Sequence, residues 1–408
     1  MVLRKIFPAI LYLFVIGSAL SEETRDLVTD TITVKDSFID SRIIKFPATV
    51  ETYDKKQIEE SVNAATPAQT LKYLPSIQVR ERSIGDPNGI IASRTIGAIS
   101  SAQSMLYMDG ILLSNLLGNS YSYPPRWGMV SPEEIQNISM MYGPFSSIYA
   151  GNSLGGVINI QTRMPERFES HSSIQGFHQN FKLYGTDQTS IGNHETASFG
   201  NKINDLSFWF GVDRLENRGQ PLDFSVLNRS SNNASSQTPI TGAYEDISEK
   251  GANRVVFGAT NITDSTQTNI KFKFAYDLSN QTKLNYTIGL WDLDSKTDVQ
   301  SYIKNSSGSP IYYGDVNFNG KKYTVGAMNP AKGKALHIMQ ALDFKSDTKG
   351  FYDWQLTLSN YNYSKDLSNS ADLATAGQVD PDKQTTLGKL TDQNGTGWTI
   401  FDAKATLR

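Results

Sequence analysis

Cysteine is absent from all 408 residues, which excludes thiol nucleophiles, thiolate metal ligands and a disulfide framework together. Histidine is scarce, with only His171, His178, His194 and His337. Charged residues make up 19% of the chain and the net charge is −3, so there is no basic footprint for nucleic acid. The phosphate-cradling pattern G-x-x-x-x-G-K-[ST] does not occur, so the chain is not expected to hydrolyse nucleotide itself. Gly151-Asn152-Ser153-Leu154-Gly155 fits G-x-S-x-G, but a nucleophile elbow needs a strand before it and a helix after it, and the order here is reversed. Beyond the first 21 residues no apolar run is long enough for a membrane-crossing helix. The mean hydropathy of −0.37 reads as soluble, yet a β-barrel hides its lipid face in alternate residues and never shows a long run.

The most informative stretch is 106–162. Met105 to Met108 alternate as a short strand that stops at Asp109-Gly110, a dipeptide suited to the positive φ of a hairpin turn. Ser131-Pro132-Glu133-Glu134 has the grammar of a capped helix start, so a short helix is expected from Pro132. Tyr142-Gly143-Pro144 ends the next segment, and Phe145 to Ala150 fits one helical turn. Gly151, Gly155 and Gly156 then break the chain before the β-branched run Val157-Ile158-Asn159-Ile160.

In these residues the chain resembles the plug domain of TonB-dependent outer-membrane receptors. That family's plug carries, in this order, a strand ending in Asp-Gly, a proline-started helix, a Tyr-Gly-Pro turn and a closing Gly-Gly-Val-Ile-Asn-Ile strand. The fold expected is therefore an α+β plug domain over 45–163, followed over 164–408 by an antiparallel transmembrane β-barrel.

The rest of the chain is consistent with this. Arg4-Lys5, the apolar run 6–20 and the small residues before position 22 make 1–21 a signal peptide cleaved after Ser21. Residues 22–44 form a periplasmic segment holding Asp30, Thr31, Ile32, Thr33 and Val34, an extended stretch with no local partner strand, which invites an added one. The resemblance implies that this is the TonB box, contacted by TonB acting with ExbB and ExbD. Asp54 to Val62 reads as a helix capped by Asp54 and Gln57, and Thr66-Pro67-Ala68-Gln69 opens a second helix that Pro75 stops. Arg94 stands where the family has an Ile-Arg-Gly motif. If buried it would need a carboxylate, with Glu133 and Glu134 as candidates; if not, it is a solvated surface arginine. Two plug loops are candidate ligand contacts: one begins at Arg82, and the other carries Tyr121, Tyr123, Arg126 and Trp127. Aromatics beside a cation suit a polar, planar or anionic ligand, and they equally suit packing against a barrel wall.

After Pro165 the period is two. Leu206, Phe208, Phe210 and Val212 alternate with Ser207, Trp209, Gly211 and Asp213, and the same alternation recurs over 270–278 and 284–290. Further strands are expected at 172–183, 193–200, 335–344, 351–363 and 398–407. Trp291, Tyr352, Trp354 and Tyr361 lie near strand ends and are assigned to interfacial girdles. Tight turns alternate with long polar segments, so 254–260 is placed in an external loop rather than counted as a crossing. This gives about eight strands, against the roughly 22 of plugged outer-membrane transporters, so the barrel is expected to be an N-terminal part of a larger one.

By resemblance, the function expected is TonB-dependent uptake of a scarce, bulky nutrient across the bacterial outer membrane, most often an iron-siderophore complex, with no enzymatic activity and no cofactor or metal other than the transported complex. Cobalamin or haem are alternative ligands. A passive porin or adhesin is the rival class, and such a protein needs no plug.

Overall fold

The computed structural model of the chain describes residues 49–118, 120–123, 125–142, 149, 153–234, 237–326, 328–348, 350–371 and 389–407. The leader and Asp30 to Val34 lie outside these residues, as do Gly143 and the helical turn expected from Phe145.

Asp54 ends strand β1 (Val50–Asp54) and caps helix α1 (Lys55–Ser61): its side chain accepts from the Gln57 amide, and the Gln57 side chain accepts in return. The second expected helix is only a 3-10 segment, Pro67–Leu71, ahead of strands β2 (Ile77–Arg80) and β3 (Ile90–Ser93). β4 (Ser104–Met108) and β5 (Ile111–Leu112) form the expected hairpin, in which Asp109 and Gly110 have φ of 50° and 85°.

The helix expected from Pro132 is a correction. Pro132–Glu134 makes a single 3-10 turn, and Ile135–Met141 is strand β6. The capping signature is real, but β6 lies between β1 and β7 (Gly156–Thr162) and bonds to both, so ladder pairing outweighs the local helix signal. The five strands order as β1-β6-β7-β4-β5, with β4 and β7 parallel. Leu106, Met108, Ile138, Met140, Ile158 and Ile160 are buried on one face, and Met105, Met141 and Val157 on the other.

A long antiparallel sheet follows, through β8 (Glu169–Leu183), β9 (Thr186–Ile203) and β10 (Leu206–Arg218). Short strands β11 (Asp223–Asn228), β12 (Thr238–Pro239) and β13 (Tyr244–Ile247) precede the 27-residue β14 (Asn253–Ser279). Then come β15 (Thr282–Ser301), β16 (Gly314–Phe318), β17 (Lys321–Val325), β18 (Ala331–Ser346), β19 (Tyr352–Ser370), β20 (Lys389–Asp392) and β21 (Thr396–Leu407). The order is β20-β19-β18-β15-β14-β10-β9-β8, with β21 also on β19, and the sheet does not close among the described residues. It is a partial barrel wall curved around the α+β unit.

Alternation decides which way each side chain points. On β14, Lys271, Lys273 and Ala275 are buried toward the inner unit, while Phe272 and Tyr276 are exposed on the outer face. The same parity corrects two girdle assignments: Trp291 and Tyr361 are 6% and 1% exposed and belong to the inner unit's own apolar core. Tyr352 is on the outer side, as expected. Residues 254–260 are neither a separate crossing nor a loop. They are the outer end of β14, paired with β11 and β13. Beyond the sheet, Ile240, Val255, Phe257, Ile303, Val316, Tyr323, Val325 and Met328 form a second apolar core, so the long connections are folded against one another.

Candidate functional site

The inner unit meets β14 through buried charge. Lys271 and Glu134 are each 1% exposed and form a close ion pair, and the same carboxylate oxygen accepts from the Ser131 amide at 2.9 Å. The other Glu134 oxygen has no hydrogen-bond partner, so the pair depends on a single contact. Two residues on, Lys273 donates to Thr162 Oγ1 at 2.7 Å and to the Arg163 carbonyl, with its ammonium 4.5 Å from the Trp209 ring. Asp109 in turn accepts from the Thr162 amide at 2.9 Å. The Ser131 hydroxyl donates to Asp213 at 2.7 Å, and Asp213 is also 2.7 Å from His194. Wall amides hold loop carbonyls farther out: Asn269 to Gly128 at 2.6 Å and Asn217 to Ile84 at 2.8 Å. Gly128 is required there, since a Cβ would sit 2.2 Å from the Trp291 indole nitrogen.

On the β18 and β19 side the contact is aromatic. Arg126 Nε donates to the Tyr363 hydroxyl at 2.5 Å, and its guanidinium carbon is 4.7 Å from the Tyr363 ring. His337 stacks on Tyr363 at 4.1 Å with its ring parallel, and its two nitrogens reach Tyr361 Oη at 3.1 Å and Asp366 at 3.0 Å. Trp398 stacks on Tyr361 at 4.7 Å. Sequence reasoning missed Tyr361, Tyr363, His337 and Trp398 as a group. The available signal was parity, since Tyr361 and Tyr363 alternate with residues in phase with the outward Leu356 and Leu358.

The candidate ligand residues separate. Trp127 is 1% exposed and its indole donates to the Gly89 carbonyl at 3.0 Å, so it is a packing residue and not a free contact. Tyr121 is 55% exposed, whereas the Tyr123 ring lies over Gly118. Arg82 is clamped to Asp86 at 2.6 Å. Burial alone would raise the Asp86 carboxyl, but hydrogen bonds from Arg82 outweigh it and hold the group below its ordinary range. Arg94 is exposed, 5.1 Å from the Tyr142 ring, and does not meet Glu133 or Glu134. Burial pushes the Glu133 carboxyl up.

A family model described as "TonB-dependent Receptor Plug Domain" matches residues 42–157. Residues 42–157 are a plug domain of the TonB-dependent receptor type. Across 169 residues it is 25% identical to the vitamin B12 transporter BtuB of Vibrio vulnificus strain YJ016, covering 41% of this chain and 25% of that protein. Among solved structures, a mutant of the ferric enterobactin receptor PfeA from Pseudomonas aeruginosa superposes with a TM-score of 0.51 at 14% identity, over 90% of this chain and 46% of that one. That likeness shows the fold: a plug followed by barrel strands. The chain spans a quarter to about half of the length of these relatives.

Proposed function

We propose that this receptor takes a scarce, bulky nutrient across the outer membrane using energy delivered by TonB with ExbB and ExbD, and that an iron-siderophore complex is the first candidate cargo. The observation that carries the reading is the folded plug fastened to the wall by Lys271–Glu134 and Arg126–Tyr363. A passive pore or an adhesin has no use for a fastened obstruction. Cobalamin is the second candidate, supported by the similarity to a vitamin B12 transporter. Accumulating any cargo a thousandfold requires about 4 kcal/mol, which its own binding cannot supply. Force would enter at Asp30 to Val34 by strand addition. Replacing Ile32 with Pro removes a backbone donor from that strand, so energised uptake should vanish while binding persists. Unchanged uptake would refute the assignment of the box.

A further inference from the structure

Outside the plug contacts, the inward face of the wall changes character. Its parity is fixed by Gln267, Asn269 and Lys271 on β14, which bond to the plug, and by Trp291 on β15 and His337 on β18, which are buried against it. Carried outward along the strands, that parity places Thr263 and Ser265 on β14, Ser295 and Thr297 on β15, and Gly333 on β18 on the vestibule side. A register shift on β19 opposite Leu336 resets its phase, so that Asp366, Ser368 and Ser370 face inward opposite Ala335, Gly333 and Ala331. Two contacts agree with this placement. The Thr263 and Thr297 hydroxyls are 3.0 Å apart across the strands, and Ser295 Oγ is 3.4 Å from the Gly333 carbonyl.

At the same level the ionic residues alternate to the outer face, where they pair with one another. Lys296 meets Asp298 at 2.8 Å, Arg218 meets Asp264 at 3.5 Å and Lys334 meets Asp294 at 3.9 Å. On the inner side Asp366 is bonded to His337 and Arg82 is paired with Asp86, while Arg126 is held by the neutral Tyr363 hydroxyl and keeps its charge, and Lys389 on β20 lies opposite Ser370 at the edge of this face. The vestibule face of β14, β15, β18 and β19 is thus a ladder of hydroxyl groups. Hydroxyls donate and accept without net charge, which matches amide, hydroxyl and carbonyl groups, and they offer a polyanion no counter-charge for the water it would lose.

We infer that this wall selects a cargo presenting an uncharged, amide- or hydroxyl-bearing surface, and discriminates against polyanionic chelates. The inference rests on the uptake reading and narrows its substrate class. Cells producing the receptor from its native gene are given three probes: cyanocobalamin, a net-neutral ferric tris-hydroxamate and a trianionic ferric tris-catecholate. At least one neutral probe should bind about tenfold or more tightly than the trianion, with an affinity nearly independent of salt. Ser295→Arg, and separately Thr297→Lys, should raise binding of the trianion and make it salt-sensitive. Tighter binding of the trianion by the unaltered receptor, or no saturable binding of either neutral probe, overturns the inference. If a neutral probe binds but is not accumulated in a TonB-dependent manner, the wall chemistry stands and the uptake reading falls.

Discussion

Lys271→Met should loosen the plug far more than a single surface substitution could. Lys271 and Glu134 are both withdrawn from water at 1% exposure, 137 residues apart in sequence, and the second Glu134 oxygen has no partner. Removing the lysine leaves a buried carboxylate supported only by the Ser131 amide, and breaking a buried pair from one side costs about 3–5 kcal/mol. At about 1.4 kcal/mol per tenfold, that corresponds to opening β6 and β7 roughly a hundred- to several-thousandfold more often. Native-state hydrogen exchange on the purified receptor reads this directly through the β6 and β7 amides. The double variant Lys271→Met with Glu134→Met replaces the pair by apolar groups of similar length and should recover most of the loss, because the pair's own net contribution is small once desolvation is counted. If the single variant exchanged like the unaltered protein, or if the double variant were as loose as the single, the buried-charge reasoning would be wrong.

Two further outcomes follow from the loops. The Asp86 carboxyl lies below its ordinary value, so the stability of its clamp with Arg82 is fully present above about pH 4, near the unfolded pKa, and is lost as pH falls through the lower folded value; amide exchange in 82–89 should rise on acidification in that window. Arg126→Ala should weaken cargo binding by about 1–3 kcal/mol if the guanidinium itself touches cargo, whereas Tyr363→Phe, which removes only the Arg126 acceptor on the wall, should leave binding nearly unchanged; equal losses in titrations of the two variants would mean that Arg126 acts only by seating the plug.

What the sequence made legible was what its neighbours in sequence decide. Asp109-Gly110 adopts its hairpin turn because positive φ is a local preference, and Asp54 caps α1 because Gln57 lies three residues away. The alternation over 206–212 and the parity of long and short connections also survive, since both repeat along one strand. The errors arose where a local signal met a distant partner. Pro132 starts a turn and not a helix, because Ile135 to Met141 bonds to strand β1, more than eighty residues before it, and to partners on strand β7 sixteen or more residues after it. Trp291 and Tyr361 stand near the ends of the expected strands, but their phase against Leu290 and Leu358 is the stronger signal and turns them inward. Glu134 and Lys271 carry nothing local that names them as partners.

The two kinds of contact that hold the plug respond differently to water. Asn269, Asn217 and Lys273 hold backbone carbonyls of the plug, and exchanging such a hydrogen bond for one to water changes the free energy by only about 0.5–1.5 kcal/mol for the amides and about 1.5–3 kcal/mol for the charged Lys273. Along β14 and β10, then, much of the seam can be hydrated group by group as it opens. Trp291, Met339, Tyr361 and Tyr363 share the plug's apolar core, and exposing them costs about 25 cal/mol for each Å² with no compensation from water. A pull on the plug would therefore part the β14 side first and leave it hinged on β18 and β19, with Lys271–Glu134, the one buried ion pair in that seam among the described residues, as its main resistance.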